Sequence, residues 1–264
     1  MEKKANFYVI FHKDLTYGVW DDELWTPLEV GSYYHPERIL ENGVRDNDCQ
    51  DNISIWNPTF LENTGTYWIW KNADCSKKYT GQCQYRRRFD FHKIEEIDEI
   101  FSTNDVIACQ PLNFIITVRQ QYEICHSKED IALMEKIVKE LYPDYAESWD
   151  RYINNGRTLF YSNGFILRTP DFIKYCEWLF SILFEFQKRM GWETLDDHKK
   201  YIAEQMKAGL RPNNNGYGKP EGAEFYQGEI CAFLSERLWT LYLQHNYDKS
   251  RIFMAPYLKM EPNI

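Results

Sequence analysis

Residues 7–14 read FYVIFHKD, and the fold prediction starts from this stretch. Its apolar part, Phe7 to Phe11, is short and rich in residues that favour β-structure, so it predicts a buried strand. His12, Lys13 and Asp14 follow directly and would emerge at the carboxyl end of that strand. Open α/β sheets bind their ligands at this edge. The opening of the chain therefore predicts a ligand site as well as a strand.

Further strands and helices alternate along the chain. Asn57-Pro58 predicts a helix to about Asn72, and Thr169-Pro170 predicts a long helix to about Arg189, because proline is favoured in a first helical turn. Gly65 would let a neighbouring element approach the first of these helices. The other predicted elements are a strand over 79–85, a helix from a capping box of Ser127 and Asp130 to Leu141, a strand over 160–168, a loop over 207–228 and a last helix over 229–245. This alternation favours an α/β fold with a mostly parallel sheet, and we interpret residues 1–264 as a single domain.

Composition limits the partners of the chain. A formal charge of -9 argues against an extended nucleic-acid surface, since phosphate backbones are bound mainly by summed lysine and arginine charge. The 7 cysteines include no C-x-x-C pair, which favours reduced thiols and a cytoplasmic location. We expect no signal peptide and no membrane-spanning segment. The aromatic fraction, 17%, is equally typical of sugar-binding clefts and of a tyrosine-rich core.

One dense cluster of charge could carry chemistry, namely Arg86, Arg87 and Arg88. Charge runs usually lie on solvated surfaces, but this run directly follows the strand predicted over 79–85. If the strand continued through it, Arg86 and Arg88 would share one face. Two guanidinium groups could then bind the oxygens of a diphosphate. No glycine-rich nucleotide loop, nucleophile elbow or zinc-protease motif accompanies the cluster.

Several motifs together resemble one protein family. They are FHK at 11–13, DNIS at 51–54 with Asn57, TGTYWIWKN at 64–72, YTGQCQYRRRF at 79–89, QY at 121–122 with His126, YSNGFILR at 161–168, YCEWLF at 175–180 and LSERL at 234–238. The family is that of the bacterial capsular and exopolysaccharide synthesis proteins of GT-A-like fold, long known as a domain of unknown function. This chain departs from the pattern at Glu62-Asn63-Thr64-Gly65, where Glu-Leu-Thr-Gly is expected. It also has Gln84 before Tyr85-Arg86-Arg87, where the family has histidine.

The resemblance implies a GT-A-like glycosyltransferase that moves a hexose from a nucleotide sugar, with a uridine diphosphate sugar expected, to a capsular glycan or a lipid-linked oligosaccharide. Residues 1–125 would bind the donor, and residues 126–264, mostly helical, would face the acceptor. A lipid-linked acceptor would place the protein peripherally at the inner face of the cell membrane. By motif position, the expected site residues are His12, Lys13, Asp51 and Asn52 for the nucleotide, Arg86, Arg87 and Arg88 for the diphosphate, and Tyr122, His126 and Asn163 for the sugar.

An inverting transfer needs a carboxylate base beside the acceptor hydroxyl. Glu236 is the first candidate, followed by Glu62 and Glu224. We expect no required cofactor. Asp46-Asn47-Asp48 formally matches the Asp-x-Asp motif that binds a divalent metal in most GT-A enzymes, but it lies in an early polar loop. We therefore favour neutralisation of the leaving diphosphate by arginine over neutralisation by metal.

Two other functions fit the same residues. The chain could be a non-catalytic carbohydrate-binding or scaffolding protein of a polysaccharide locus, in which aromatic rings stack on glycan. Alternatively, the arginine cluster and its neighbouring rings could bind single-stranded RNA, which the acidic total charge disfavours. Stabilisation of the protein by uridine diphosphate would distinguish the enzyme from a glycan-binding module.

Overall fold

A computed structural model describes residues 4–12, 22–40, 43–216 and 218–259. Lys13 lies outside these residues. The strands are β1 (Asn6–Phe11), β2 (Trp25–Glu29), β3 (Val44–Arg45), β4 (Tyr79–Gln84), β5 (Arg87–Phe89), β6 (Val106–Cys109), β7 (Leu112–Asn113), β8 (Thr158–Leu159), β9 (Phe165–Arg168), β10 (Ile252–Ala255) and β11 (Tyr257–Lys259). The helices are α1 (Asn57–Phe60), α2 (Asn63–Asn72), α3 (Ile94–Thr103), α4 (Val118–Cys125), α5 (Lys128–Leu141), α6 (Ala146–Trp149), α7 (Thr169–Arg189), α8 (Leu195–Lys207), α9 (Ala223–Gly228) and α10 (Ile230–Asn246).

The main sheet runs in the order β10-β6-β9-β4-β1-β2-β3. Strand β1 lies parallel to both β2 and β4, β2 is parallel to β3, and β6 is parallel to β10. Only β9 runs antiparallel within this path, between β4 and β6. Strands β5 and β11 form an antiparallel extension from β4, while β7 and β8 pair separately. The predicted α/β class with a mostly parallel central sheet and a helical C-terminal part is confirmed, although the sheet also takes β9, β10 and β11 from the second half.

Helix α2 packs closely on the sheet through Gly65. A Cβ atom placed there would lie 2.8 Å from Val30 Cγ1 and 3.1 Å from Ile10 Cδ1. Any side chain at this position would push the helix away from β1 and from the end of β2. The predicted close approach at Gly65 is confirmed.

The aromatic residues mainly fill the core. The largest side chains below 2% exposure are Trp25, Trp149, Trp239, Tyr79, Tyr122, Tyr175, Phe7, Phe11, Phe60, Phe89, Phe165 and Phe172. Phe165 of β9 packs against Trp239 of α10 with ring centroids 4.6 Å apart, so the same rings join the sheet to the C-terminal helices. This core accounts for much of the aromatic excess without any sugar stacking.

In the second half of the chain, local predictions differ from the structure at three places. The capping box at Ser127 is wrong, because Ser127 makes no cap hydrogen bond and the buried Asp130 instead pairs with Arg211 at 2.7 Å. The strand predicted over 160–168 forms only at its end, as β9, and a turn separates it from β8, which ends at Leu159. The loop predicted over 207–228 ends in helix α9. Within the described residues, no helix combines the length and apolarity that crossing a membrane requires.

Candidate active site

A pocket lies at the carboxyl ends of the parallel strands β1, β2 and β4. Its volume is about 90 Å³, and it is lined by Ile10, His12, Val30, Asn57, Leu61, Glu62, Gln84, Tyr85 and Arg86. His12, Val30, Asn57 and Leu61 also line a wider cleft of about 800 Å³, which extends to α8 and α9. This is the edge at which open α/β sheets bind ligands. We call the first space the Glu62 pocket and the second the wide cleft.

Glu62 reaches the pocket because the helix predicted from Asn57 to Asn72 is interrupted. Leu61 adopts φ 44° and ψ -122°, which ends α1, and α2 begins only at Asn63. A leucine with positive φ carries backbone strain of roughly 1–3 kcal/mol, and such strain is common at functional sites. The break turns Glu62 toward the ends of β1 and β4. The prediction of one continuous helix is therefore wrong at the residue that matters most for the site.

The Glu62 carboxylate is half-buried, and its Oε1 accepts a hydrogen bond from Asn163 Nδ2 at 2.8 Å. Burial, followed by the negative charge of Glu236, raises the pKa of Glu62 from the ordinary 4.5 to about 7. Hydrogen bonds from Asn163 and Gln84 act in the opposite direction. A carboxyl group with this pKa can accept a proton near neutral pH, which is the property required of a general base.

Glu236 lies beside Glu62 but has its own partners. Its Oε1 accepts the backbone N–H of Ser162 at 2.6 Å, and its Oε2 pairs with Arg237 at 3.0 Å. It does not line the Glu62 pocket. The first-ranked base of the sequence analysis is thus already bound on both oxygens, and its charge acts on Glu62.

Two further glutamates line the wide cleft. Glu224 is exposed on α9. Glu229, at the start of α10, is half-buried, and burial together with the charge of Glu62 raises its pKa to about 7. Sequence reasoning missed Glu229, although an acidic residue between a long loop and a strongly apolar helix was an available signal. It also missed Gln84, whose position immediately before the arginine cluster was another signal.

The three arginines point to different surroundings. Strand β4 ends at Gln84, a turn follows, and β5 returns antiparallel from Arg87. The expectation that the strand continues and places Arg86 and Arg88 on one face is therefore wrong. Arg86 is exposed and lines the Glu62 pocket, with its guanidinium 5.2 Å from the Tyr85 ring centroid.

The other two arginines lie outside the lining of the pocket. Arg87 donates to Gln84 Oε1 at 3.3 Å and lies over the ring of Tyr161. Arg88 is only 8% exposed, and burial lowers its pKa to about 10. The nearby negative charge of Asp90 opposes that shift. Arg86 is thus the member of the cluster best placed to meet a ligand at the pocket.

The expected nucleotide residues are divided between two places. His12 lines both the Glu62 pocket and the wide cleft, and its ring contacts Tyr85 edge-on at 5.7 Å. Asp51 accepts a hydrogen bond from Tyr67 at 2.7 Å, and Asn52 donates to the Cys49 carbonyl at 2.6 Å. Asp51 therefore ties its loop to α2, Asn52 stabilises the loop itself, and neither residue lines the Glu62 pocket or the wide cleft.

Among the expected sugar residues, only Asn163 comes to the site, through its contact with Glu62. Tyr122 is fully buried, with its hydroxyl 3.4 Å from Asp130. His126 is 4% exposed and packs between Tyr226 and Phe233. Burial, with the nearby charges of Arg237 and Arg211, lowers the pKa of His126 to about 3. Tyr122 belongs to the core behind the site, and the largely buried His126 lines a separate space of about 470 Å³ beside Arg211.

The Asp46-Asn47-Asp48 motif has structural partners. The buried Asp46 carboxylate accepts hydrogen bonds from the backbone of Gly31 and Ser32 and from the hydroxyls of Ser54 and Thr64, the hydroxyls both at 2.6 Å. Asp48 pairs with Arg38 at 2.6 Å. These contacts tie the loop after β3 to α2. Within residues 4–12, 22–40, 43–216 and 218–259, no group of three potential metal ligands is found.

The fold and site are those of an α/β protein with a carboxylate-containing pocket at its strand ends, and the chain shares this fold with a known structure. It is similar to the apo structure of the WbbM bifunctional glycosyltransferase, with a TM-score of 0.71 and 22% identity over 96% of this chain. The match covers 45% of that protein, so the chain spans less than half of its length. The α/β architecture with a mostly parallel central sheet expected from the sequence agrees with this similarity.

The family can be stated directly. Residues 6–206 match the family model DUF4422, a domain of unknown function, and the chain belongs to that family. The match agrees with the resemblance indicated by the sequence motifs. No curated protein matches the chain.

Proposed function

We propose that this protein is a glycosyltransferase that moves a sugar from a nucleotide-sugar donor to a glycan acceptor. One observation carries the proposal: the Glu62 carboxylate and the Arg86 guanidinium line the same pocket at the carboxyl edge of the parallel strands. The first supplies a proton acceptor and the second supplies positive charge. The similarity in fold to the WbbM bifunctional glycosyltransferase supports the same assignment.

The proposed reaction uses the two groups in different roles. Glu62 would remove the proton from the acceptor hydroxyl as the hydroxyl oxygen attacks the anomeric carbon of the donor sugar. Arg86 would neutralise the nucleoside diphosphate as the bond to the sugar breaks. A well-placed donor opposite developing negative charge typically contributes about 3–4 kcal/mol to catalysis. Of the three candidate bases, Glu62 is favoured because Glu236 is engaged on both oxygens and Glu224 lies out in the wide cleft.

The finer parts of the proposal concern the substrates and the metal. We expect a uridine diphosphate sugar as donor and a capsular glycan or a lipid-linked oligosaccharide as acceptor. With a lipid-linked acceptor, the protein would bind peripherally to the membrane. The wide cleft, about 800 Å³, is large enough for sugar residues of an acceptor beside Glu62. We also propose transfer without metal, since hydrogen bonds and an ion pair already occupy the carboxylates of Asp46 and Asp48.

A screen of nucleotide sugars, assayed for hydrolysis and transfer with and without a chelator, tests the proposal. We expect one donor to be turned over, and both Glu62→Gln and Arg86→Ala to lower kcat at least a hundredfold. Arg151→Ala is the matched control, because Arg151 is an exposed arginine paired with Glu147 away from the pocket. Unchanged turnover in Arg86→Ala would refute the role of arginine. Absence of turnover and of thermal stabilisation with every donor would favour a glycan-binding protein instead.

A further inference from the structure

A strained turn at residues 162–163 contacts both carboxylates of the site. Among the described residues, the non-glycine residues with positive φ are Leu61, Ser162 and Asn163, with φ of 44°, 60° and 47°. Leu61 precedes Glu62 directly, and the other two form the turn between β8 and β9. All three therefore lie next to the same pair of glutamates. Strained backbone that is confined to one place indicates a geometric requirement at that place.

The surrounding side chains hold the turn rigidly. Ser162 and Asn163 are each 1% exposed. Gln82 Nε2 donates to the Asn163 carbonyl at 2.9 Å, and the Ser162 hydroxyl donates to Tyr257 at 3.2 Å. At Gly164, an added Cβ would lie 1.8 Å from the Tyr257 hydroxyl, so Tyr257 closes over the turn. The turn thus has little freedom to move away from the glutamates.

The turn gives one N–H donor to each glutamate. The Ser162 backbone N–H donates to Glu236 at 2.6 Å, and Asn163 Nδ2 donates to Glu62 at 2.8 Å. Asn163 Nδ2 also donates to Ser235 Oγ at 2.8 Å, while that hydroxyl donates its own proton to the Ala232 carbonyl at 2.7 Å. The proton of the Ser235 hydroxyl is used toward Ala232, so this hydroxyl can only accept from Asn163. The Asn163 amide must therefore turn its nitrogen to Ser235, and the same nitrogen faces Glu62.

We propose that Asn163 is the positioning residue of Glu62, and that the 162–163 turn keeps the two glutamates at a fixed spacing through one N–H donor each. The proposal rests on the proposed function only in naming Glu62 as the base. A donor to the ionised carboxylate favours its proton-accepting form, which the charge of Glu236 and burial disfavour. Asn163 would then act on the reaction through Glu62 and need not contact the sugar.

The titration of Glu62 has to be interpreted with the charged and titratable groups around it. They are Glu236 and Glu229 on or beside α10, Tyr175 on α7, and His12 and Arg86 at the strand ends. The test therefore leaves all of these groups in place and changes only the turn. Glycine tolerates positive φ, so Asn163→Gly removes the amide while allowing the same backbone.

The midpoint for titration of Glu62 can be measured without substrate. It is the pH at which the unfolding free energy, taken relative to that of the same protein with Glu62→Gln, stops falling as the pH rises, because the native carboxyl group has then ionised. We expect Asn163→Gly to raise this midpoint by about one pH unit, a tenfold change in the ratio of ionised to protonated Glu62. Ser162→Gly is the matched control, since it keeps the backbone N–H toward Glu236 and should leave the midpoint unchanged. If the glycine variant does not fold, the side-chain amide resonance of Asn163 is followed by NMR in the parent protein: it should titrate with the midpoint of Glu62 and lose that titration in Glu62→Gln, and an amide resonance that does not titrate would overturn the inference.

The same variants separate this inference from the proposed function. If transfer activity is present, the acidic limb of its pH profile should move with the midpoint in Asn163→Gly and stay in place in Ser162→Gly. A lower stability at every pH, with no movement of the midpoint, would show a merely structural Asn163 and overturn the inference. A shifted midpoint in a protein that turns over no donor would support the positioning role and refute the proposed function.

Discussion

Replacing Glu62 by glutamine should change the pH dependence of stability in a predictable direction. The pKa of Glu62 rises from 4.5 to about 7 on folding, so the native state retains a proton that the unfolded chain releases. At 1.36 kcal/mol per pKa unit, this difference corresponds to about 3 kcal/mol. The contribution is fully present below pH 4.5 and is lost as pH rises to about 7. Glutamine cannot ionise, so the variant avoids this loss.

Urea unfolding of both proteins at intervals between pH 4.5 and 8 measures the effect. We expect the unfolding free energy of Glu62→Gln to rise by about 2–3 kcal/mol relative to that of the parent protein across this range. The change should be centred between the unfolded and the folded pKa of Glu62. Glu147→Gln is the control, because the Glu147 side chain is 82% exposed and pairs only with Arg151 among the described residues. If the difference in unfolding free energy between Glu62→Gln and the parent does not change with pH, the pKa of Glu62 is not raised on folding. The assignment of Glu62 as the base would then fail.

Three further experiments test the packing of the core and the exposure of the thiols. Gly164→Ala should lower the unfolding free energy by about 1–3 kcal/mol, since the new Cβ would meet the Tyr257 hydroxyl, and the loss should be smaller in a Tyr257→Phe background; equal losses in both would contradict the contact. Arg211→Met should cost about 3–5 kcal/mol in urea unfolding, because it leaves the fully buried Asp130 without its ion-pair partner, and Asp130→Leu added to it should restore most of the loss. A thiol reagent should label exposed Cys75 first in the folded protein, and Cys75→Ser should remove that fast phase; an unchanged fast phase would show that another thiol is accessible.

The predictions from sequence were most accurate where local patterning decides the outcome. Strand β1 and helix α7 form almost as predicted, because an apolar run of β-formers and a proline-initiated amphipathic stretch need little outside information. The prediction was wrong at residues 61 and 85–86. There, a strained residue and a tight turn interrupt patterns that look continuous in sequence. Both interruptions lie at the candidate site, where packing of the whole chain overrides local preference.

The candidate site shows the same division. The sequence indicated His12, Glu62, Arg86 and Asn163 separately, and the structure places all four at or beside one pocket. Nothing in the sequence could show that Tyr122 and His126 are buried away from this pocket, since aromatic and imidazole side chains are common both in cores and in binding sites. Glu229 becomes a candidate only through its burial and its proximity to the charge of Glu62.

The α/β class, the polar edge after β1 where the pocket lies and the family could all be predicted from the sequence, because periodicity and motifs are local properties of the chain. Only the tertiary structure decided which polar groups act together. The hydrogen bond from Asn163 to Glu62 joins residues 101 positions apart, and that from Ser162 to Glu236 joins residues 74 positions apart. Such contacts depend on how the sheet and the helices pack, and packing places a carboxylate beside another carboxylate and shifts its pKa in a way that no local pattern records.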